Sequence, residues 1–178
     1  MPAEDALVLP GRGIMRRNQI QDLDLSRSFA EEEFMTREQV REMWEERIRK
    51  GQHVFTFVKD NVLVCYGWMV EHQPHTYVLK GHRIELPPGS AGIYNFYTDP
   101  EYRQSDYYPN ALIEAFQAAA RVPGTSRIYF SVPAELSIPR WWVERLGSIH
   151  EATYFYDRVL WRTRIWKEEG AGAANGRV

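Results

Sequence analysis

The clearest pattern along the chain is helical and lies between Thr36 and Lys50. Val40, Met43, Trp44 and Ile48 recur at a spacing of about 3.6 residues, so one stripe is apolar and the rest is charged. Thr36 and Gln39 make a capping-box pair, and Gly51 stands where a left-handed residue closes a helix. Glu38 at the start and Arg47, Arg49 and Lys50 at the end suit the helix dipole. A shorter helix is expected before it, beginning near Ser26 and carrying Phe29 and Phe34.

The period then changes. His53–Lys59 and Val62–Val70 read as strands joined by an Asp60-Asn61 turn. Thr76–Leu86 is strand material interrupted at Gly81, and Ala91–Thr98 is the next strand, ended by Asp99-Pro100. Asn110–Arg121 reads as a helix with Pro109 tolerated in its first turn. Arg127–Val132 is a buried-type strand, and Pro139–Leu146 is a short helix stopped by Gly147. Ile149–Tyr156 and Val159–Trp166 are the closing strands. Residues 1–25 form an N-terminal segment in which Ala6–Leu9 reads as a first strand, with disorder as the alternative. The folded domain spans 26–167, and 168–178 is a glycine- and alanine-rich tail expected to be disordered. Antiparallel strands followed by a β-α-β-α-β section predict an α+β class, a mixed α/β layer with helices on both sheet faces.

Composition narrows the function classes. A chain of 178 residues suits one domain, and a net charge of −2 lacks the basic excess of a nucleic-acid binder. No apolar run approaches the roughly 20 residues needed to span a bilayer. The first residues lack a basic and then apolar leader, and the one cysteine, Cys65, has no internal partner. A cytoplasmic protein is the expectation. Aromatic residues reach 13%, with six Trp and ten Tyr, which suggests a binding cleft and permits a homodimer.

The strand Ile93–Thr98, the turn Asp99-Pro100-Glu101-Tyr102-Arg103 and the loop and helix after it resemble motif A of the GNAT superfamily, the GCN5-related N-acetyltransferases. That family's loop reads Q/R-x-x-G-x-G/A. Aligned on Gln104, Tyr107 and Pro109 stand at the glycine positions. Downstream, Val143-Glu144-Arg145-Leu146-Gly147-Ser148 resembles the family's Tyr-Glu-Lys-Leu-Gly-Phe stretch, with Val143 in place of the tyrosine. The resemblance runs from about Phe29 to Trp166 and identifies a divergent member. It implies a central, mostly antiparallel sheet with a splayed parallel pair, Ile93–Thr98 and Arg127–Val132. It implies acetyl-CoA or another acyl-CoA as co-substrate, with the backbone of Phe96, Tyr97 and Thr98 serving the pantetheine arm. Arg103, Gln104, Ser105, Asp106, Tyr107 and Tyr108 would face the pyrophosphate, where free N–H groups and a helix dipole stabilise an anion. Asp106 opposes that anion unless its carboxylate points away or caps the helix.

The activity implied is transfer of an acyl group to the amine of a small molecule by direct attack. Such transfer needs a base, an oxyanion stabiliser and a proton for the thiolate, and no covalent intermediate. Glu101, Glu135 and His150 are the candidate bases. Tyr129, Tyr154, Tyr156 or a water is the candidate acid. Cys65 reads as a core residue. His72, His75 and His82 with Glu85 have too weak a spacing for a metal site, so no metal is expected. Two other readings stay open: a catalytically silent GNAT-like binding module, and an acyltransferase whose donor is an acyl-carrier protein.

Overall fold

The structure, a computed structural model, describes residues 1–27, 35–71, 75–79, 82–103, 105–159 and 162–170. For 75–79, 82, 83, 85, 158, 159, 162 and 163 it describes the backbone alone. The expected helix around Phe29 and Phe34, the residues 171–178 of the tail, His72 and Gln104 lie outside the described residues.

Helix α2 (Arg37–Arg49) forms where the periodicity places it. Thr36 Oγ1 accepts from Gln39 N, and the Gln39 side chain accepts from Thr36 N, which satisfies two otherwise orphaned donors. Gly51 closes the helix at φ +77°. Strands β2 (Gln52–Lys59) and β3 (Val62–Glu71) follow as an antiparallel hairpin. Its turn places both Asp60 and Asn61 at positive φ, the conformation that matches strand twist in two-residue loops. The Thr76–Leu86 stretch is two short strands, β4 (His75–Leu79) and β5 (His82–Glu85), paired antiparallel.

Strand β6 (Ser90–Thr98) returns beside β3, and helix α3 (Tyr107–Ala120) crosses to β7 (Arg127–Phe130), which lies parallel to β6. Helix α3 starts three residues earlier than expected, because the Asp106 carbonyl accepts from Asn110 N and Pro109 needs no acceptor in a first turn. With β1 (Arg16–Arg17) on the far edge, the main sheet runs β1-β2-β3-β6-β7, antiparallel except for its last pair. This is the α+β layer with a parallel pair that the sequence predicts.

Two elements differ from expectation. Ala6–Leu9 is no strand: helix α1 (Ala3–Leu7) turns Ala3 and Ala6 inward, and two small residues at i, i+3 let it lie close against α3. The closing strands sit about three residues later, β8 (Ala152–Val159) and β9 (Arg162–Glu169), so Glu168 and Glu169 belong to a strand. Their register is marked by Phe155 stacked on Trp166 across the pair, ring centres 5.4 Å apart. They form a two-stranded ribbon of their own. Between β7 and β8 runs the short helix α4 (Ser137–Arg145), ending before Gly147 at φ +90°.

Side chains from the two faces of the sheet build two cores. On the α3 face, Phe55, Met69, Ile93, Leu112, Phe116 and Ile128 pack with Val143 of α4. On the α2 face, Val40, Trp44, Leu63, Tyr66, Trp68 and Tyr97 pack with Leu23 of the 3-10 turn Ile20–Leu25. Cys65 is fully buried and its thiol is pushed up to about 12, so it is a packing residue and no nucleophile at neutral pH. The N-terminal arm is tied down along its length. Met1 and Ile128 exchange backbone bonds at 3.0 and 2.8 Å on the outer edge of β7. The Glu114 carboxylate of α3 accepts from Ile14 N and Met15 N, both at 2.8 Å.

Candidate functional site

Strands β6 and β7 pair only from Ser90↔Arg127 to Ile93↔Phe130. One more bond, Ser131 N to Ile93 O, ends the ladder, and β6 then runs on to Thr98 paired to β3 and no longer to β7. A wedge therefore opens between the two parallel strands. Its origin is a bulge. Tyr66 faces Tyr97 while Trp68 faces Tyr94, so Asn95 and Phe96 stand opposite Gly67 alone. Asn95 takes φ +53°, a left-handed conformation that Asn tolerates better than most residues. Gly67 is required across from it, since a Cβ there would meet the Phe96 ring at 2.2 Å.

The bulge sends Phe96 to the α3 face, where its ring meets Tyr108 at 6.1 Å and Phe130 at 5.8 Å, both edge-on. Asn95 Nδ2, Thr98 Oγ1 and Tyr108 OH are buried without a partner among the described residues, which a polar ligand could satisfy. Burial alone raises the Tyr108 phenol pKa well above its ordinary value, so it stays protonated at neutral pH.

At the open end of β6 the chain makes a turn, Pro100–Tyr102, capped by Asp99, whose carboxylate accepts from Glu101 N at 3.0 Å. The N terminus of α3 follows: Tyr107 N donates to Ser105 Oγ at 3.4 Å, Pro109 has no N–H and Asn110 N donates to the Asp106 carbonyl, so Tyr108 N is the first-turn donor that the helix leaves without an acceptor. Charges of both signs meet at this end, Lys59, Arg103 and Arg12 with Asp99, Glu101 and Asp106. The Asp106 carboxylate does not cap the helix; it turns to Arg12 at 2.6 Å, which removes the expected conflict with an anion. Lys59, from the end of β2, reaches the Tyr107 hydroxyl at 2.6 Å, and that bond raises the Lys59 pKa. Arg103 is exposed and donates through Nε to the Thr98 carbonyl. Lys59 and Arg103 are thus cations of this end whose partners among the described residues are neutral oxygens.

The structure thus gathers Phe96, Tyr97, Thr98, Arg103, Ser105, Asp106, Tyr107 and Tyr108 at one end of the sheet. Of the other candidates, Glu101 lies in the turn Pro100–Tyr102, exposed and paired with Arg27. His150 is exposed and bonds Thr153 Oγ1 at 2.9 Å, while Tyr154 and Tyr156 sit on the separate β8–β9 ribbon. Glu135 is exposed in the loop before α4. Lys59 and Arg12 were not legible as site residues, because only the hairpin and the N-terminal arm bring them to α3. Among the described residues no group of three His, Cys, Asp or Glu could hold a metal ion. Nor is any of their helices long and apolar enough to cross a membrane.

No protein-family profile matches the chain. No curated protein sequence matches it either. Solved structures do. A ribosomal-protein-alanine N-acetyltransferase from Brucella melitensis superposes with a TM-score of 0.56 at 15% identity, over 87% of this chain and 98% of that one. The aminoglycoside N-acetyltransferase AAC(6')-Iy in complex with CoA gives 0.55 at 14% identity, over 86% and 97%. An acetyltransferase of the GNAT family from Desulfovibrio desulfuricans gives 0.51 at 17% identity, over 87% and 97%. The likeness is one of fold.

Proposed function

From the GNAT acetyltransferase fold of this chain we propose that it transfers an acyl group from acyl-CoA to the amine of a small molecule. The observation that carries the reading is the wedge beyond Ile93 and Phe130 lying beside the N terminus of α3. The edge of β6 beyond Ile93, which β7 no longer pairs, would bond the pantetheine along Phe96, Tyr97 and Thr98, and the start of α3 with Lys59 and Arg103 would hold the diphosphate. Acyl-CoA supplies the activated thioester. The attacking amine gives up one proton and the departing thiolate takes one, so no side chain is acylated.

Val143 is buried where the family's α4 tyrosine would stand, so another phenol is needed for that second proton. Tyr108 is placed for it, beside Phe96 at the bulge, buried and with no partner for its hydroxyl among the described residues. Tyr108→Phe should then lower kcat at least about tenfold with KM for acyl-CoA little changed, whereas Tyr154→Phe should do less. Equal losses in kcat for the two variants would return the role to the ribbon.

Binding is tested first, by thermal unfolding with CoA, acetyl-CoA and longer acyl-CoAs. Ligand at about 100 times its dissociation constant adds about 2.7 kcal/mol to native stability. For a domain of this size the midpoint should rise by roughly 5–10 °C. A flat response to millimolar CoA would overturn the reading. Val143 also favours a second one, a module of this fold that binds without turnover. A CoA response with no thiol release across an amine panel would select it. A salt-sensitive response to an acyl-carrier protein in place of CoA would select the carrier-dependent donor.

A further inference from the structure

Arg47, in the last turn of α2, is unlike the other arginines near it. Its guanidinium lies 4.9 Å from the centre of the Trp68 ring and 5.7 Å from that of Tyr94. Nη1 is fully buried, and among the described residues nothing accepts from it. The indole Nε1 of Trp44, one turn earlier on the same helix face, is buried and unpaired as well. So is that of Trp68, whose ring meets Trp44 edge-on at 5.5 Å. Three donors on groups in mutual contact, one of them charged, thus have no acceptor among the described residues.

The neighbouring carboxylates are otherwise engaged. Glu46 pairs with Arg49 at 2.6 Å and Lys50 at 2.9 Å, and Glu71 pairs with Arg17 and His53. Aromatic faces stabilise a guanidinium only in part and satisfy none of its N–H bonds. A buried charged donor left unpaired is costly, and an apolar side chain would fill the same space without that cost. Such a cluster makes physical sense when an anion arrives to complete it.

The cluster is also well placed. Trp68 lies across from Tyr94, and the next residue of β6 is Asn95 at the bulge. The cation is on the α2 face of the sheet, while the diphosphate-suited helix end belongs to α3 on the other. A donor entering from the α3 side and an acceptor held on the α2 side would meet at the wedge. We propose that Arg47, with Trp44 and Trp68, forms a carboxylate-binding subsite for the acceptor, which is therefore a small amine that also carries a carboxylate. One cation matches a monoanion, and the planar guanidinium fork matches a carboxylate's two oxygens. The assignment of this anion to the acceptor rests on the acyltransferase reading; the anion site itself does not.

The test titrates the intact protein with L-amino acids, with their carboxamides and with O-phosphoethanolamine, each with and without desulfo-CoA, by calorimetry. Acids should bind at least about tenfold tighter than amides, as expected for bonds to a charged group. Arg47→Met should erase that preference, leave the CoA response intact and keep the unfolding midpoint within a few degrees, because Nη1 has no acceptor to lose among the described residues and Met keeps the contact with the rings. The inference is overturned if amides bind as well as acids, if the preference survives Arg47→Met, if the phosphate is preferred, or if no panel binds. A protein blind to CoA that still holds acids through Arg47 would overturn the acyltransferase reading and leave the anion site standing.

Discussion

Trp44→Ala should lower the unfolding free energy by about 3–5 kcal/mol, a large part of the 5–15 kcal/mol typical of a domain. Trp44 is fully buried at the centre of the α2-face core. Its ring meets Tyr66 at 5.1 Å and Trp68 at 5.5 Å, both edge-on, so truncation removes two aromatic contacts along with the transfer energy. The cavity would lie between a helix and three strands that are pinned elsewhere, by the capping box and by the β2–β3 ladder, so collapse can relieve little of it. Trp44→Phe keeps most of the ring volume and should cost less than half as much. Urea denaturation of the two variants beside the parent measures both values. A loss below about 1 kcal/mol for the alanine variant would mean that the α2-face core is not packed as described.

Gly67→Val should damage both stability and CoA binding. The first added carbon would stand 2.2–2.4 Å from three atoms of the Phe96 ring. That ring cannot swing aside freely, because Tyr108 and Phe130 flank it. Overpacking of this kind costs about 1–3 kcal/mol, and relief requires either Phe96 to move into the wedge or the bulge to unwind. Either outcome should abolish the midpoint rise with CoA. Pairing Gly67→Ala with Phe96→Ala is the control: it removes the clash and should recover part of the stability lost by Gly67→Ala alone. If the single Gly67→Val variant unfolds like the parent, Phe96 is not wedged against β3.

What the sequence revealed and what it hid divide along the reach of the interactions. Helix α2 was readable because its stop and start signals, Thr36, Gln39 and Gly51, act on their own few residues. The Asp60-Asn61 turn was readable for the same reason, since both residues tolerate a left-handed backbone. The order of elements through β6, α3 and β7 followed from period and breakers. The bulge did not, because Asn95 and Gly67 are on different strands and neither marks a bulge alone. Lys59 and Arg12 reach the α3 end from 48 and 94 residues away. No local pattern announces such an approach. Asp106 makes the loop before α3 look hostile to an anion, and only the position of Arg12 shows that carboxylate turned aside. Trp44 and Arg47 were read as a core residue and a dipole partner, and each description is correct locally. Their unsatisfied donors are visible only once α2 is laid on β3.

The N-terminal arm has a consequence for the order in which the molecule assembles. Met1 and Ile128 are 127 residues apart along the chain, yet they exchange two backbone bonds at the sheet's edge. A contact between such distant residues carries a loop-closure cost that must be met before its bonds are gained. During synthesis, Met1 and its neighbours must wait until β7 has been made before they find their partner. A segment made well before its partner is therefore among the last to settle. The rate of folding, more than the depth of the native minimum, carries the imprint of that strap.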